Sequence, residues 1–199
     1  MPELSKNAQL IKFFAQQYGH PGVPRKKLAK LIYMADVLAR QFLGKPMSDL
    51  VYIKDHYGPY ARELPNYTKE LVDADLAIES KELDPPYRSI RLRDSGHPIA
   101  FTFTPGENEI LAYVVENYLN MDLDEFIDQV VKETDPFKAV HRDGERLPME
   151  TIDGVRATEI GFGLEAVLRA ERQAAEGQGM TLTEFSRVLR ADLTSGHTH

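Results

Sequence analysis

Apolar residues recur along the first third of the chain at the three- and four-residue spacing of an amphipathic helix. Leu10, Ile11, Phe14 and Ala15 predict a first helix over residues 4–18, and Gly19 is a natural stop. Residues 19–24 read as a loop, with Pro24 suited to the first turn of the next helix. Leu28, Leu31, Ile32, Ala35, Leu38, Ala39 and Phe42 then form one stripe, which predicts a second helix over 24–43. Gly44 and Pro46 end it. Residues 51–54 are β-branched and aromatic and predict a short strand. After a break at residues 57–60 a third helix is expected over 61–74. Leu64, Tyr67, Leu71 and Val72 face inward, and Pro65 lies in the first turn.

The pattern changes in the middle of the chain. Residues 77–83 and 89–93 predict two strands joined by a turn at Asp84-Pro85-Pro86, because Ile90 and Leu92 alternate with Arg91 and Arg93. Residues 99–103 predict one further short strand. Helical spacing returns at Thr104-Pro105-Gly106-Glu107, where Thr104 and Glu107 can cap one another's backbone. That helix carries Ile110, Leu111, Val114, Val115 and Tyr118. Asp122 opens another helix, Asp135-Pro136 a short turn, and residues 141–149 a polar loop. Helices are expected again over 155–176, and after a second capping box at Thr181–Glu184. The fold class that follows is mainly α with a small antiparallel β-sheet. Two helices followed by a small sheet is a winged-helix-like order. Residues 1–150 read as one domain, and 151–199 as a helical C-terminal extension packed on it or docking beside it.

Composition narrows the function. The chain of 199 residues is 42% apolar and 28% charged, enough for one globular core. It has no cysteine, which excludes disulfides, thiolate metal sites and a thiol nucleophile. No run approaches the roughly 20 apolar residues of a membrane span, and the first residues lack the order of a signal peptide. A soluble, cytoplasmic protein is expected. The net charge of −7 disfavours a broad nucleic-acid footprint and favours a basic protein partner.

Candidate chemistry is sparse. His56 follows Asp55, but neighbours on a strand point to opposite faces, so the carboxylate would not orient the imidazole. His141 with Asp143 reads as solvated loop, and His97 as a turn residue. His197 and His199 are two imidazoles on a polar tail, short of a closed metal site. Asp122, Asp124, Glu125 and Asp128 lack the glycine and the terminal glutamate of a calcium loop and suit a helix start instead. There is no phosphate loop and no serine elbow. The expectation is a non-enzyme without cofactor or metal.

Charge is more informative. From Glu107 to Asp135 nine residues are acidic and one is basic. Arg25, Lys26, Lys27 and Lys30 gather on the second helix, and Arg88, Arg91 and Arg93 on the expected wing. A solvated face explains each group; a dipolar surface with its acidic side toward a partner is the functional alternative.

The stretch Lys27-Leu28-Ala29-Lys30-Leu31-Ile32-Tyr33-Met34-Ala35-Asp36 resembles the signature helix of the Panacea-domain (SocA-like) antitoxins. Gly44-Lys45-Pro46-Met47 is similar to the turn that follows it there, and Tyr57-Gly58-Pro59 to a second family element, with Arg62, Glu63, Leu64 and Leu71 continuing in register. Residues 132–139 resemble a C-terminal family segment, but Glu133 stands near its usual His and Phe137 replaces its usual Trp. The resemblance covers about residues 5–140. It implies an antitoxin that neutralises a cognate toxin encoded by a neighbouring gene, by direct contact or by delivery to a cellular protease.

Lys30, Tyr33, Asp36 and Tyr57 are more polar than a core requires and read first as residues that shape the fold by satisfying one another. The candidate partner-binding set is Tyr33, Asp36, Tyr52, His56, Tyr57, Tyr60, Arg62 and Tyr67, with Tyr52, Tyr57, Tyr60 and Tyr67 as aromatic anchors. The alternative function is a winged-helix-like nucleic-acid binder with Arg25, Lys26, Lys27, Arg91 and Arg93 on phosphates. A hydrolase using His56 or His141 is the third. A homodimer stays open.

Overall fold

The computed structural model describes residues 4–82 and 89–152. The helices and second capping box expected beyond residue 152, the Asp84–Pro86 turn and Arg88 lie outside the described residues.

Helix α1 (Lys6–Tyr18) begins where the Ser5 hydroxyl accepts from the Ala8 amide. Helix α2 (Arg25–Leu43) ends at Gly44 in the left-handed region. Every residue from Lys27 to Ala39 is buried, polar ones included. A helix enclosed on all sides is an interior element, and α2 is the hub of this fold. The apolar stripe read from the sequence is therefore only part of its buried surface. Pro24 lies just ahead of the helix, in strand β1 (Val23–Pro24), whose two-residue length tolerates a residue without an amide hydrogen.

Strands β4 (Ala77–Glu82) and β5 (Ser89–Asp94) form an antiparallel hairpin, and β1 pairs with the far side of β5, with Val23 opposite Leu92. Helix α3 (Leu64–Asp73) precedes the hairpin, so three helices and a sheet of order β1-β5-β4 take the winged-helix arrangement. Lys12 joins the layers: its buried ammonium donates to the Leu76 carbonyl at 2.7 Å and pairs with Asp94.

A second hairpin, β2 (Tyr52–Ile53) with β3 (Tyr60–Ala61), carries the 54–59 turn at its tip. The segment expected as a polar loop docks along β2. Leu147 donates to the Tyr52 carbonyl and Lys54 to that of Glu145, each at 2.8 Å, and Leu147 is buried.

Helix α4 (Pro105–Tyr118) has the expected reciprocal cap between Thr104 and Glu107. The Glu107 carboxylate also pairs with Lys6 at 2.7 Å, which fastens α4 to α1. Asp122 caps α5 (Leu123–Phe126), which continues as a π-helical turn, Ile127–Val131, before α6 (Asp135–Lys138).

Two expectations are corrected. Residues 99–103 form no strand: the Thr102 amide and hydroxyl both donate to the Gln9 side chain, and Phe101 and Phe103 stack on one another beside Phe13. Val72 faces solvent at 38% exposure because α3 presents Leu64, Thr68 and Leu71 to the core instead. No helix among the described residues is long and apolar enough to cross a membrane.

Candidate functional site

The polar residues of α2 are satisfied from outside the helix. Asp36 is fully buried, and its carboxylate accepts four hydrogen bonds. Oδ1 takes the amides of Met47 and Ser48, both at 2.8 Å; Oδ2 takes the Ser48 hydroxyl and, at 2.6 Å, the Tyr52 phenol. Burial raises the Asp36 carboxyl above its usual range, and the four donors oppose that rise. Tyr33 is equally enclosed and packs edge-on against Tyr52 at 5.1 Å. The Thr134 hydroxyl sends its one proton to the Val131 carbonyl, so at 2.7 Å it accepts from Tyr33. Burial pushes both phenols well up from their ordinary values. Two hydrogen-bonded sets, joined by the Tyr33–Tyr52 ring contact, thus clamp the 46–52 loop, β2 and the end of the π-helical turn onto α2.

One helical turn earlier, Lys30 is buried at 2% exposure beneath the tip of the second hairpin. Gly58 lies over it at φ +89°, and a Cβ there would stand 3.2 Å from Lys30 Cε and within 3.7 Å of Val131 and Ile127. The positive φ favours glycine, and an added Cβ would require the Lys30 side chain to give by a few tenths of an ångström. The turn is held by Asp55, whose carboxylate accepts from the Tyr57 amide at 3.1 Å and whose carbonyl accepts from Gly58 at 2.9 Å. Tyr57 projects from this pinned turn at 49% exposure, with Lys26 Nζ 4.0 Å above its ring and His56 edge-on at 4.8 Å. A π-turn is uncommon and recurs near functional sites; here Ile127 and Val131 of that turn lie against Gly58, the residue after the exposed aromatic.

Burial lowers the Lys30 amine to about 8, with the Asp55 charge opposing and Lys26 reinforcing the shift. Between that value and the unfolded amine's 10.5, the folded chain holds fewer protons, so stability rises with pH. Tyr33 and Tyr52 act oppositely: where tyrosines of the unfolded chain ionise, the buried phenols keep their protons, and stability falls. Urea unfolding is expected to show a gain on the order of 2 kcal/mol from about pH 7.5 to about pH 9.5. Lys30→Met should be at least as stable as the parent at the lower pH and should lose most of the rise.

The candidate residues therefore divide. Tyr33, Asp36 and Tyr52, expected among partner contacts, are core residues whose polar atoms are spent inside the fold. Tyr60 and Tyr67 are half-buried against the core. His56, Tyr57 and Arg62 are exposed. The basic set also separates. Arg25 pairs with Glu79 at 2.7 Å, Lys27 is buried with its ammonium on the Met121 carbonyl, and Arg91 donates to the Gly22 carbonyl at 3.2 Å. Lys26 and Arg93 are exposed, Lys26 over the Tyr57 ring and Arg93 on β5. The structure thus makes no continuous phosphate-facing row of these five. His97 contacts the Asp75 carbonyl and carboxylate and the Ser95 hydroxyl through the same Nδ1, at an exposed turn. One nitrogen cannot both accept from a serine and donate to an aspartate, so these three do not form a catalytic relay.

The acidic segment surrounds the π-turn. Asp124, Glu125, Asp128, Glu133 and Asp135 are exposed; Lys132 pairs with Asp128 at 2.7 Å and Lys138 with Glu133 at 2.6 Å. The amides of Glu125 and Asp124 hold the Asp122 carboxyl below its usual range. Because Ile127 and Val131 support Gly58, this acidic surface adjoins the Tyr57 turn. Sequence reasoning missed Ser48 and Thr134 as partners of the buried network, and nothing in their local pattern marks them.

A family model described as antitoxin SocA-like, Panacea domain, matches residues 28–136. No curated protein matches the chain, and no solved structure does.

Proposed function

The chain belongs to the SocA-like antitoxins of the Panacea domain, and from that premise we propose that it neutralises its toxin by direct, non-catalytic contact centred on Tyr57. The matched residues 28–136 include the buried network, the Tyr57 turn and the acidic α5–π surface. The observation that carries the reading is the Tyr57 ring itself. It is a large aromatic, half exposed, on a turn fixed by Asp55 below and packed on Lys30, Ile127 and Val131. A preorganised aromatic loses little freedom on binding, and aromatic residues dominate interface energetics. The adjoining carboxylates suit a basic toxin surface and would speed its approach more than they tighten the final complex.

The test uses the product of the adjacent gene. Co-expression is expected to restore growth, and the two proteins should co-purify. Tyr57→Ala should weaken the complex by a factor on the order of 30, the equivalent of about 2 kcal/mol, while leaving urea unfolding nearly unchanged. Growth rescue with no complex at any salt concentration would defeat direct contact as the mechanism. Rescue that depends on a cellular protease would place the chain as an adaptor that delivers the toxin for degradation.

A further inference from the structure

Three lysines are buried among the described residues, Lys12 on α1 and Lys27 and Lys30 on α2. An enclosed ammonium is costly unless an acceptor faces it. Lys12 has two acceptors, the Leu76 carbonyl and the Asp94 carboxylate, and Lys27 has the Met121 carbonyl. Lys30 makes no hydrogen bond or ion pair among the described residues; Asp55 acts on it only through its field. Buried polar groups are nearly always partnered, so this donor stands out. Its Nζ is not one of the side-chain atoms sealed from water without a partner, so the 2% of Lys30 that reaches solvent includes the charged tip. The tip lies at the Tyr57 turn, since a Cβ on Gly58 would stand 3.2 Å from Lys30 Cε, the atom that carries the ammonium.

We propose that Lys30 is the donor for a carboxylate of the bound toxin, seated beside Tyr57 at the Gly58 turn. The inference deepens the Tyr57 reading and rests on it. A carboxylate fits better than a neutral carbonyl because the turn has an excess of positive charge. Lys26 and Lys30, four residues apart on α2, bring two ammonium groups to it, and Lys26 Nζ is 4.0 Å over the Tyr57 ring. Against them stands one acid, Asp55, whose Oδ1 already accepts from the Tyr57 amide. His56 and Tyr57 are the other titratable groups of the turn. The π-helical turn meets Gly58 through apolar Ile127 and Val131, and its own acid, Asp128, is paired with Lys132. A desolvated charge pair of this kind sets dissociation and partner choice. It also links binding to protons. Burial lowers the Lys30 amine to about 8 in the free chain, and a carboxylate against it raises it again. The complex then takes up a proton above that pH and weakens as pH rises.

The full-length chain would be titrated calorimetrically with the product of the adjacent gene at pH 8.5, in two buffers of different ionisation enthalpy. The parent is expected to take up about half a proton or more on binding, and its Kd to rise about tenfold between pH 8 and pH 9.5. Lys30→Met should bind about thirtyfold more weakly at pH 7.5 and lose both the uptake and that pH dependence. A merely structural lysine would leave the proton count unchanged. The parent's own proton count stands whether or not the variant folds. No uptake by the parent, or a Lys30→Met complex as tight as the parent's, would overturn the proposal. Weakening by Tyr57→Ala but not by Lys30→Met would leave the aromatic contact standing and remove only the carboxylate. A complex indifferent to Tyr57→Ala, or no complex at all, would remove the Tyr57 reading and this inference with it.

Discussion

Replacing Asp36 with Ala is expected to lower the stability of the chain by about 4 kcal/mol, read as a shift of the urea midpoint at neutral pH. The loss does not come from the missing side-chain volume. It comes from the donors left behind: the amides of Met47 and Ser48, the Ser48 hydroxyl and the Tyr52 phenol would all lose their acceptor. Each buried group without a partner costs about 1–3 kcal/mol, and partial collapse of the loop recovers some of the sum. Asp36→Asn separates geometry from charge. The amide oxygen still accepts from the two backbone N–H groups, and the hydroxyls of Ser48 and Tyr52 can turn to accept from the amide nitrogen. That variant should fall between the parent and Asp36→Ala. If Asp36→Ala unfolded at the parent's midpoint, the network would be an ornament on a core that stands without it.

Gly22→Ala should cost about 2–3 kcal/mol by the same measurement. Gly22 sits at φ +110°, where a Cβ alone costs about 1–2 kcal/mol. The added atom would also stand 3.0 Å from the Leu92 carbonyl oxygen and 3.2 Å from the Arg93 Cβ. Those atoms belong to β5, against which the next residues, Val23 and Pro24, pair. Backbone cannot swing aside as a side-chain tip can, so relief means prising β1 from the sheet. Gly96→Ala is the control: its φ is +87°, and its Cβ would meet nothing within 4 Å. The difference between the two variants isolates the contact with β5 from conformational strain. Equal losses would mean that the β1–β5 junction yields freely.

The sequence made the helical elements readable because their stripes and caps are local. Thr104 and Glu107 cap one another within three residues, and the structure shows both halves of that exchange. Residues 99–103 misled because Phe101 and Phe103 alternate like a strand, while their stacking and the Gln9 contacts are set by α1, about ninety residues earlier. The buried network shows the same limit. Tyr33 and Asp36 share a helix, yet neither is the other's partner; Asp36 meets Ser48 and Tyr52, and Tyr33 meets Thr134, 101 positions away. Polar residues on a helical stripe announce that something must satisfy them, but not what. The π-turn had no signature either, since Phe126, Ile127, Val130 and Val131 suit an α-helix as well. The Tyr57 turn was legible as a break with a glycine, and its footing on Lys30 appeared only in three dimensions.

The enclosure of α2 separates two kinds of position. From Lys27 to Ala39 a change of side chain disturbs the interior, so most substitutions there are costly. His56, Tyr57 and Arg62, on the second hairpin's turn and just after β3, face solvent, where a change alters stability by about half a kilocalorie or less. Descendants of this scaffold can therefore exchange the outward side chains and acquire new binding preferences while the interior stays as it is. Mutational drift at the rim and constancy at the hub follow from one helix being wrapped on every side.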